Sequence, residues 1–355
     1  MKIATRKDVI ESILINAQPF LERKDATNIT SHIYIDAKDG IVTIKATDNE
    51  IGLKVTSDQF DIQEEGAFTA NGKKLLDIVR TLKDDLIEFE TQDSNLIIKQ
   101  KNSKFKLSTF NYEEYPKFPS TDDKASLTLD STNLIKSLKK ITPAIDNNNP
   151  KYELNGALID IKENKTNFVG TDTRRLAVVE IENSSDKELE LIIPKKTIIE
   201  IQKLFIDQIE IFYDQNHLIV QNDQFFIFSR LINGKFPDYE RIIPKSLKHN
   251  FTIKKKDMID AMKIISIISP EIKITLDNNL ITLESLNGDN QEAKTTIETP
   301  IAIDESLTFA LNSKYLFDFL AQIDTDEFNL GINEPSMPFI VKSENFLTVI
   351  MPILV

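Results

Sequence analysis

The chain has 355 residues, 41% of them hydrophobic, enough to bury a core in each of two or three domains. It has no cysteine, which excludes disulfides and thiolate chemistry and fits a reducing compartment. No apolar run nears the ~18 residues of a membrane span, and Met1-Lys-Ile-Ala-Thr-Arg-Lys-Asp is charged too early for a secretion signal, so a cytoplasmic protein is expected. A net charge of −13 argues at first sight against a polyanionic partner.

In chain order, residues 6–17 carry apolar side chains at helical spacing. Alternating runs at His32–Asp36 and Ile41–Lys45 follow, joined by a turn at Asp39-Gly40. A second helix is expected over 71–84, then strands opening at Leu86, Leu96 and Phe105, and a proline-bearing exit at Phe118-Pro119. The same order recurs twice more. Helices at 131–143 and 195–208 precede strands from Ile209, Leu218 and Phe225, ending at Phe236-Pro237. Helices at 254–266 and 312–324 precede strands from Phe328, Phe339 and Phe346, ending at Met351-Pro352. The period is about 120 residues, too long for a solenoid unit and right for a small domain. The reading is α+β: three tandem copies of a two-helix plus antiparallel-sheet domain, over 1–119, 120–243 and 244–355.

The charge is unevenly spread. The six helical segments sum to +7 and leave −20 for everything else. A protein that is acidic outside and basic on one shared element can still hold a polyanion.

The repeats act as controls on one another. Thr47-Asp48 in copy one and Thr171-Asp172 in copy two predict one shared turn, built by side-chain bonds to nearby backbone. Arg174-Arg175-Leu176 occurs only in copy two, in a chain with seven arginines against 36 lysines. A planar fork suits carbonyls and carboxylates, so these arginines, with Arg241, are read as a binding patch. The C-terminus, Thr348 to Val355, is apolar to its last residue, whereas termini are usually polar; Ile353-Leu354-Val355 follow a proline that breaks any ladder. Such a tail suits a peptide-binding surface.

No catalytic constellation is present in the sequence. His32, His217 and His249 lack metal-ligand spacing, and there is no phosphate-binding glycine motif. No catalytic residue, metal or cofactor is expected.

The threefold repeat, Gly170-Thr-Asp-Thr-Arg-Arg-Leu-Ala, Asn233-Gly-Lys-Phe-Pro-Asp-Tyr-Glu-Arg-Ile-Ile-Pro and the closing Val349-Ile-Met-Pro together resemble the bacterial DNA polymerase III beta subunit, the sliding clamp. The resemblance spans the whole chain in order and spacing. It implies a head-to-tail dimer ring around duplex DNA, helices inside and sheets outside, acting without catalysis as a processivity factor. Tiling agrees: twelve helices about 10 Å across leave about 28 Å free, whereas six leave about 9 Å. A duplex is roughly 20 Å wide. Inner lysines would meet phosphates without reading bases, so the ring could slide.

By the same resemblance, Arg23, Tyr152 and Lys196 match DNA-contacting positions. Leu154, Thr171, Thr173, Arg174, Arg175, Leu176, Pro237, Arg241, Ile242, Ile350, Met351, Pro352, Ile353 and Leu354 match a pocket for short apolar motifs of the clamp loader, replicative polymerase and repair proteins. The chain departs from the family at Thr173-Arg174, where Gly-His is frequent, and at Leu354, where a basic residue is frequent. Ring closure would set Lys99, Lys101, Lys104 and Lys106 of copy one against Glu292, Glu298, Asp304 and Glu305 of copy three, with Ile267 and Ile268 alongside. The competing reading is a monomeric three-domain peptide-binding scaffold that never encircles DNA. It shares every motif except the ring edges.

Overall fold

The computed structural model describes residues 1–25, 27–127, 129–183, 185, 188–206, 208–286 and 291–354. Val355, the end of the apolar tail, lies outside them. Among the described residues, six α-helices fall where apolar spacing predicts them: α1 (Lys7–Ala17), α2 (Gly72–Thr81), α3 (Ser131–Ile141), α4 (Lys195–Leu204), α5 (Lys255–Ser266) and α6 (Ser313–Leu320). Their buried residues follow that spacing, as with Leu134, Leu138 and Ile141 in α3. The recurring Asn before α2 and α6 is an N-cap: Asn71 accepts from the Lys74 amide and Asn312 from the Lys314 amide, each at 3.0 Å.

The chain gathers into two compact units, 1–132 with 199–231 and 133–198 with 232–355. The middle repeat is therefore shared between them. The reason is that sheets run from one repeat into the next.

In the first unit, β1 (Lys2–Arg6), β5 (Asp61–Glu64), β7 (Leu86–Gln92), β8 (Asn95–Gln100) and β9 (Ser103–Ser108) form a sheet ordered β5-β1-β7-β8-β9. A second sheet starts from β2 (His32–Lys38), β3 (Ile41–Thr47), β4 (Ile51–Ser57) and β6 (Gly66–Asn71). It continues into the middle repeat through β10 (Ala125–Ser126), β15 (Glu210–Tyr213), β16 (His217–Gln221) and β17 (Phe225–Arg230), in the order β10-β15-β16-β17-β4-β3-β2-β6. Asp39 and Gly40 take positive φ values of 53° and 79°, the conformation a two-residue hairpin turn requires.

The second unit repeats the plan. β11 (Gly156–Ile161), β12 (Lys165–Thr171), β13 (Arg175–Glu182) and β14 (Leu189–Pro194) join β18 (His249–Lys254), β23 (Glu327–Ile332), β24 (Phe339–Ser343) and β25 (Phe346–Ile350). The order is β14-β11-β12-β13-β25-β24-β23-β18. Its other sheet, β21-β20-β19-β22, uses β19 (Glu271–Asp277), β20 (Leu280–Ser285), β21 (Lys294–Glu298) and β22 (Leu307–Asn312). Every strand pairing among the described residues is antiparallel.

The proline exits need correcting. β9 ends ahead of Phe118-Pro119 and β17 ahead of Phe236-Pro237, so those prolines lie in the connections beyond the strands. Only β25 stops directly before Met351-Pro352.

Candidate functional site

The site begins at the turn between β12 and β13. Thr171 Oγ1 donates to the Arg175 carbonyl at 2.6 Å and accepts from the Thr173 amide at 3.1 Å. Asp172 Oδ1 accepts from the amides of Arg174 and Arg175, both at 3.0 Å. Thr47 and Asp48 make the same four bonds in copy one, so the shared Thr-Asp is a turn device. The function must come from what differs.

Arg175 differs most. It is 6% exposed, and its fork is filled from within. Nε reaches Asp172 Oδ2 at 3.0 Å, Nη1 reaches Asp318 Oδ2 on α6 at 2.7 Å, and Nη2 donates to the Pro143 carbonyl. Its guanidinium also lies 4.7 Å from the Tyr315 ring centroid. The planar geometry is used as sequence reasoning expects, but on this chain's own carbonyl and carboxylates. Arg174, by contrast, is exposed.

Arg174 lines a cavity of about 560 Å³ with Asn312, Tyr315, Met351, Pro352, Ile353 and Leu354. The tail is stitched down on both sides of its proline. The Met351 amide donates to the Arg174 carbonyl at 2.9 Å and the Ile353 amide to the Ala310 carbonyl at 2.7 Å. Leu354 remains 80% exposed. Asn312 and Tyr315, with Glu271 and Ser336 on the same wall, were missed by sequence reasoning. The signal is there: Asn312-Ser-Lys-Tyr opens a recurring helix, and its recurrence reads as a repeat alone.

Leu154 and Leu176 belong to a buried apolar cluster with Val349, Ile340 and Tyr239, flanked by half-buried Ile243. Thr171 and Ile350 are buried too, and Ile350 pairs with Arg175 across β25 and β13. Pro237 leads into a 3-10 turn, Tyr239–Arg241. The Arg241 side chain is 86% exposed and pairs with Asp238 at 2.6 Å, and Ile242 is exposed beside it.

The expected DNA contacts lie elsewhere. In the first unit, Arg23 lines a groove of about 730 Å³ with Lys73, Lys74 and Arg80, above Ile15 and Leu76. In the second unit, Tyr152 is 64% exposed and Lys196 is exposed on the first turn of α4. Not every helix lysine is available. Lys7 Nζ donates to the carbonyls of Arg80 in the last turn of α2 and of Leu82 just after it, and Lys255 Nζ to that of Ile323 beyond α6. These lysines cap helix ends. Lys195 Nζ donates to Ile145 at 2.6 Å, and burial, with Arg175 nearby, holds its pKa below the usual lysine value.

Of the edge residues, Lys99 pairs with Glu90 at 2.6 Å and Lys101 with Asp85 at 2.5 Å. Lys104, Lys106 and Glu298 are exposed, Ile267 is 82% exposed and Ile268 is half-buried.

Residues 1–119, 128–238 and 240–354 match, in turn, the N-terminal, central and C-terminal domains of the DNA polymerase III beta subunit. The beta sliding clamp of Helicobacter pylori strain J99 is 38% identical over 351 residues, covering 96% of this chain and 94% of that one. That of Pseudomonas putida is 26% identical over 348 residues, with 94% of each chain covered. The crystal structure of the H. pylori beta clamp bound to a DNA ligase peptide superimposes with a TM-score of 0.95 at 36% identity, covering all of both chains. The chain belongs to the DNA polymerase III beta subunit family, the beta sliding clamps. It has their three-domain fold and is a non-catalytic processivity factor for DNA replication.

Proposed function

We propose that two copies of the chain close head to tail around duplex DNA, each contributing domains 1–119, 120–243 and 244–355. The observation that carries this is the pattern of junctions. Within the chain, the first-sheet edge of one repeat pairs with the last strand of the next, five residues on five. β4 takes β17, and β13 takes β25. The third repeat's equivalent edge, β21, and the first repeat's last strand, β9, each end a sheet. A second copy satisfies both by the same rule, whereas a lone chain leaves β9 and β21 unpaired on their outer sides. The charges agree, with Lys104 and Lys106 exposed on β9 and Glu292 and Glu298 exposed at β21. So does the apolar surface at the end of α5, which packs on β21: Ile264 on the helix is 52% exposed and Ile267 just after it 82%. Light scattering across dilution tests it. A mass twice that of the chain, persisting below micromolar, is expected; a monomer at every concentration favours the scaffold reading.

The cleft around Arg174, Leu176, Met351 and Leu354 takes short apolar peptides from the clamp loader, replicative polymerase and repair proteins. By the family resemblance Thr171, Thr173, Pro237, Arg241 and Ile242 belong to it, and Arg175, stacked on Tyr315, supports its wall from behind. Arg23, Tyr152 and Lys196, with Lys73 and Lys74, hold phosphates loosely and without sequence preference. The DNA ligase peptide carried by the H. pylori clamp is the natural probe. Deleting the chain from Ile353 onward should abolish its binding and leave the dimer intact. Unchanged binding would remove the cleft from the account.

A further inference from the structure

The turn that carries Arg241 and Ile242 has few anchors of its own. One backbone bond, from the Ile242 amide to the Tyr239 carbonyl at 3.0 Å, closes it. The Arg241–Asp238 pair is at the surface, where such pairs hold little. The firm anchor is Tyr239. Its ring is 6% exposed within the apolar cluster that includes Leu154, Leu176 and Val349. Its hydroxyl donates to Asp160 Oδ2 at 2.6 Å and accepts from Asn167 Nδ2 at 2.9 Å. Asp160 and Asn167 face each other across β11 and β12 and are 6% and 2% exposed. Lys162 Nζ then bridges Asp160 at 3.3 Å and Glu240 at 2.6 Å, tying the turn a second time.

A buried carboxylate, amide and phenol that satisfy one another cost much to leave half-made, so such a set fixes one geometry. Copy one has a different solution when its Tyr115-Pro116, rather than Phe118-Pro119, is set against Phe236-Pro237. In Tyr115-Pro-Lys-Phe118, as in Phe236-Pro-Asp-Tyr239, the last aromatic stands two residues after a proline. Phe118 has no hydroxyl and lies edge-on to Phe228, 4.8 Å between centroids, over the β4–β17 junction. In copy two the hydroxyl instead reaches Asp160 on β11, two strands away from the β13–β25 junction.

We propose that Tyr239 is a positioning residue for partner-peptide binding: its hydroxyl, held between Asp160 and Asn167, fixes the turn that presents Arg241 and Ile242 at the rim of the cleft. The inference rests on the peptide-cleft reading given above. A rim held in place before binding loses less freedom when a peptide is ordered against it.

The test is a titration of the fluorescein-labelled DNA ligase peptide with the full-length protein, together with amide hydrogen exchange. Tyr239→Phe keeps the ring and loses the latch; it should weaken the peptide roughly tenfold and speed exchange selectively over residues 237–243. Asn167→Ala, which removes only the second bond, should weaken it about threefold, and the double variant should be no worse than Tyr239→Phe. Asp160→Asn keeps an acceptor for the hydroxyl and should bind within about twofold of the parent. Affinity unchanged in both Tyr239→Phe and Asn167→Ala overturns the latch, as does faster exchange spread through β11 and β12, which marks a general packing role. Met351→Ala separates the two readings. If it also binds like the parent, the cleft reading fails and the latch with it.

Discussion

At the junction of β4 with β17, Gly52 faces Phe228; at the junction of β13 with β25, the same positions hold Leu176 and Val349. One backbone bond ends both. The Arg230 amide donates to Glu50 at 2.8 Å, and the Met351 amide to Arg174 at 2.9 Å. The side chains then part company. In the first junction a Cβ on Gly52 would sit 2.1 Å from the Phe228 ring, Phe118 lies edge-on to that ring, and Glu50 pairs with Arg230 at 3.3 Å. Aromatic bulk and a surface ion pair finish that corner. In the second junction Arg174 and Met351 do not pair; both face the cavity. The buried cation beneath, Arg175, stands where copy one has Ile51. A joint and the proposed binding site thus share one backbone and differ in a handful of side chains.

Arg175→Ala should separate them most sharply. It strips Asp172, Asp318 and the Pro143 carbonyl of one partner at once. Removing one member of a buried pair costs about 3–5 kcal/mol. Asp318 is 22% exposed and keeps Lys314 at 2.6 Å, so the lower end, about 3 kcal/mol, is expected. Urea unfolding of the purified protein reads it. A loss under about 1 kcal/mol would show that the fork is not what holds this corner together.

Gly52→Ala attacks the other junction by overpacking against the buried Phe228 ring, at about 2–3 kcal/mol. Transplanting the second junction's pair, Gly52→Leu with Phe228→Val, should recover more than half of that. Failure to recover would mean that the two junctions are not interchangeable at these positions.

Much of this was legible in the sequence, and what was missed shares a cause. Helices and strands follow from apolar periodicity, and the Thr-Asp turn from its recurrence. Sheets that run from one repeat into the next were not readable, because pairing between edges depends on contacts over a hundred residues away. Arg175 stands out in the sequence as one of seven arginines, yet its partners Asp318 and Pro143 are distant in sequence and give no local sign. Lys7 and Lys255 counted as positive surface although their ammonium groups cap other helices. Asn312 and Tyr315 were hidden by being part of a repeat.

A corresponding pair elsewhere gives a pH-dependent contrast. His32 opens β2 opposite Asn71, and Gly156 opens β11 opposite Pro194. His32 packs on Phe110, 4.4 Å between centroids, whereas Ile232 fills the space above Gly156. Burial, with a smaller contribution from Lys74, pushes the His32 pKa down from 6.5 to about 4. The unfolded chain therefore binds this proton first. Stability is complete above pH 6.5 and is lost as pH falls toward 4, by about 2 kcal/mol at about pH 5. Unfolding measured near neutrality and near pH 5 should show that loss, and His32→Asn should remove most of it.

The smallest effect expected is at Thr173, and it bears on how the two turns were finished. Thr173 has φ 73° and its counterpart Asn49 has φ 72°. The left-handed region costs an ordinary residue about 1–2 kcal/mol and suits a β-branched one worst, whereas asparagine enters it readily. Thr173→Asn should therefore stabilise the protein by about 1 kcal/mol, since residue 173 bonds Thr171 Oγ1 through its own backbone N–H, which the substitution keeps. Thr173→Gly should gain less, because glycine's extra freedom in the unfolded chain offsets about half of the relief. Each change should be read by unfolding and by peptide titration together. A stability gain with unchanged affinity makes Thr173 a strained residue with no part in the cleft. A gain in stability with weakened binding means that the strain is retained because the threonine side chain meets the peptide, and the two junctions then differ by design at the turn as well as at Arg175.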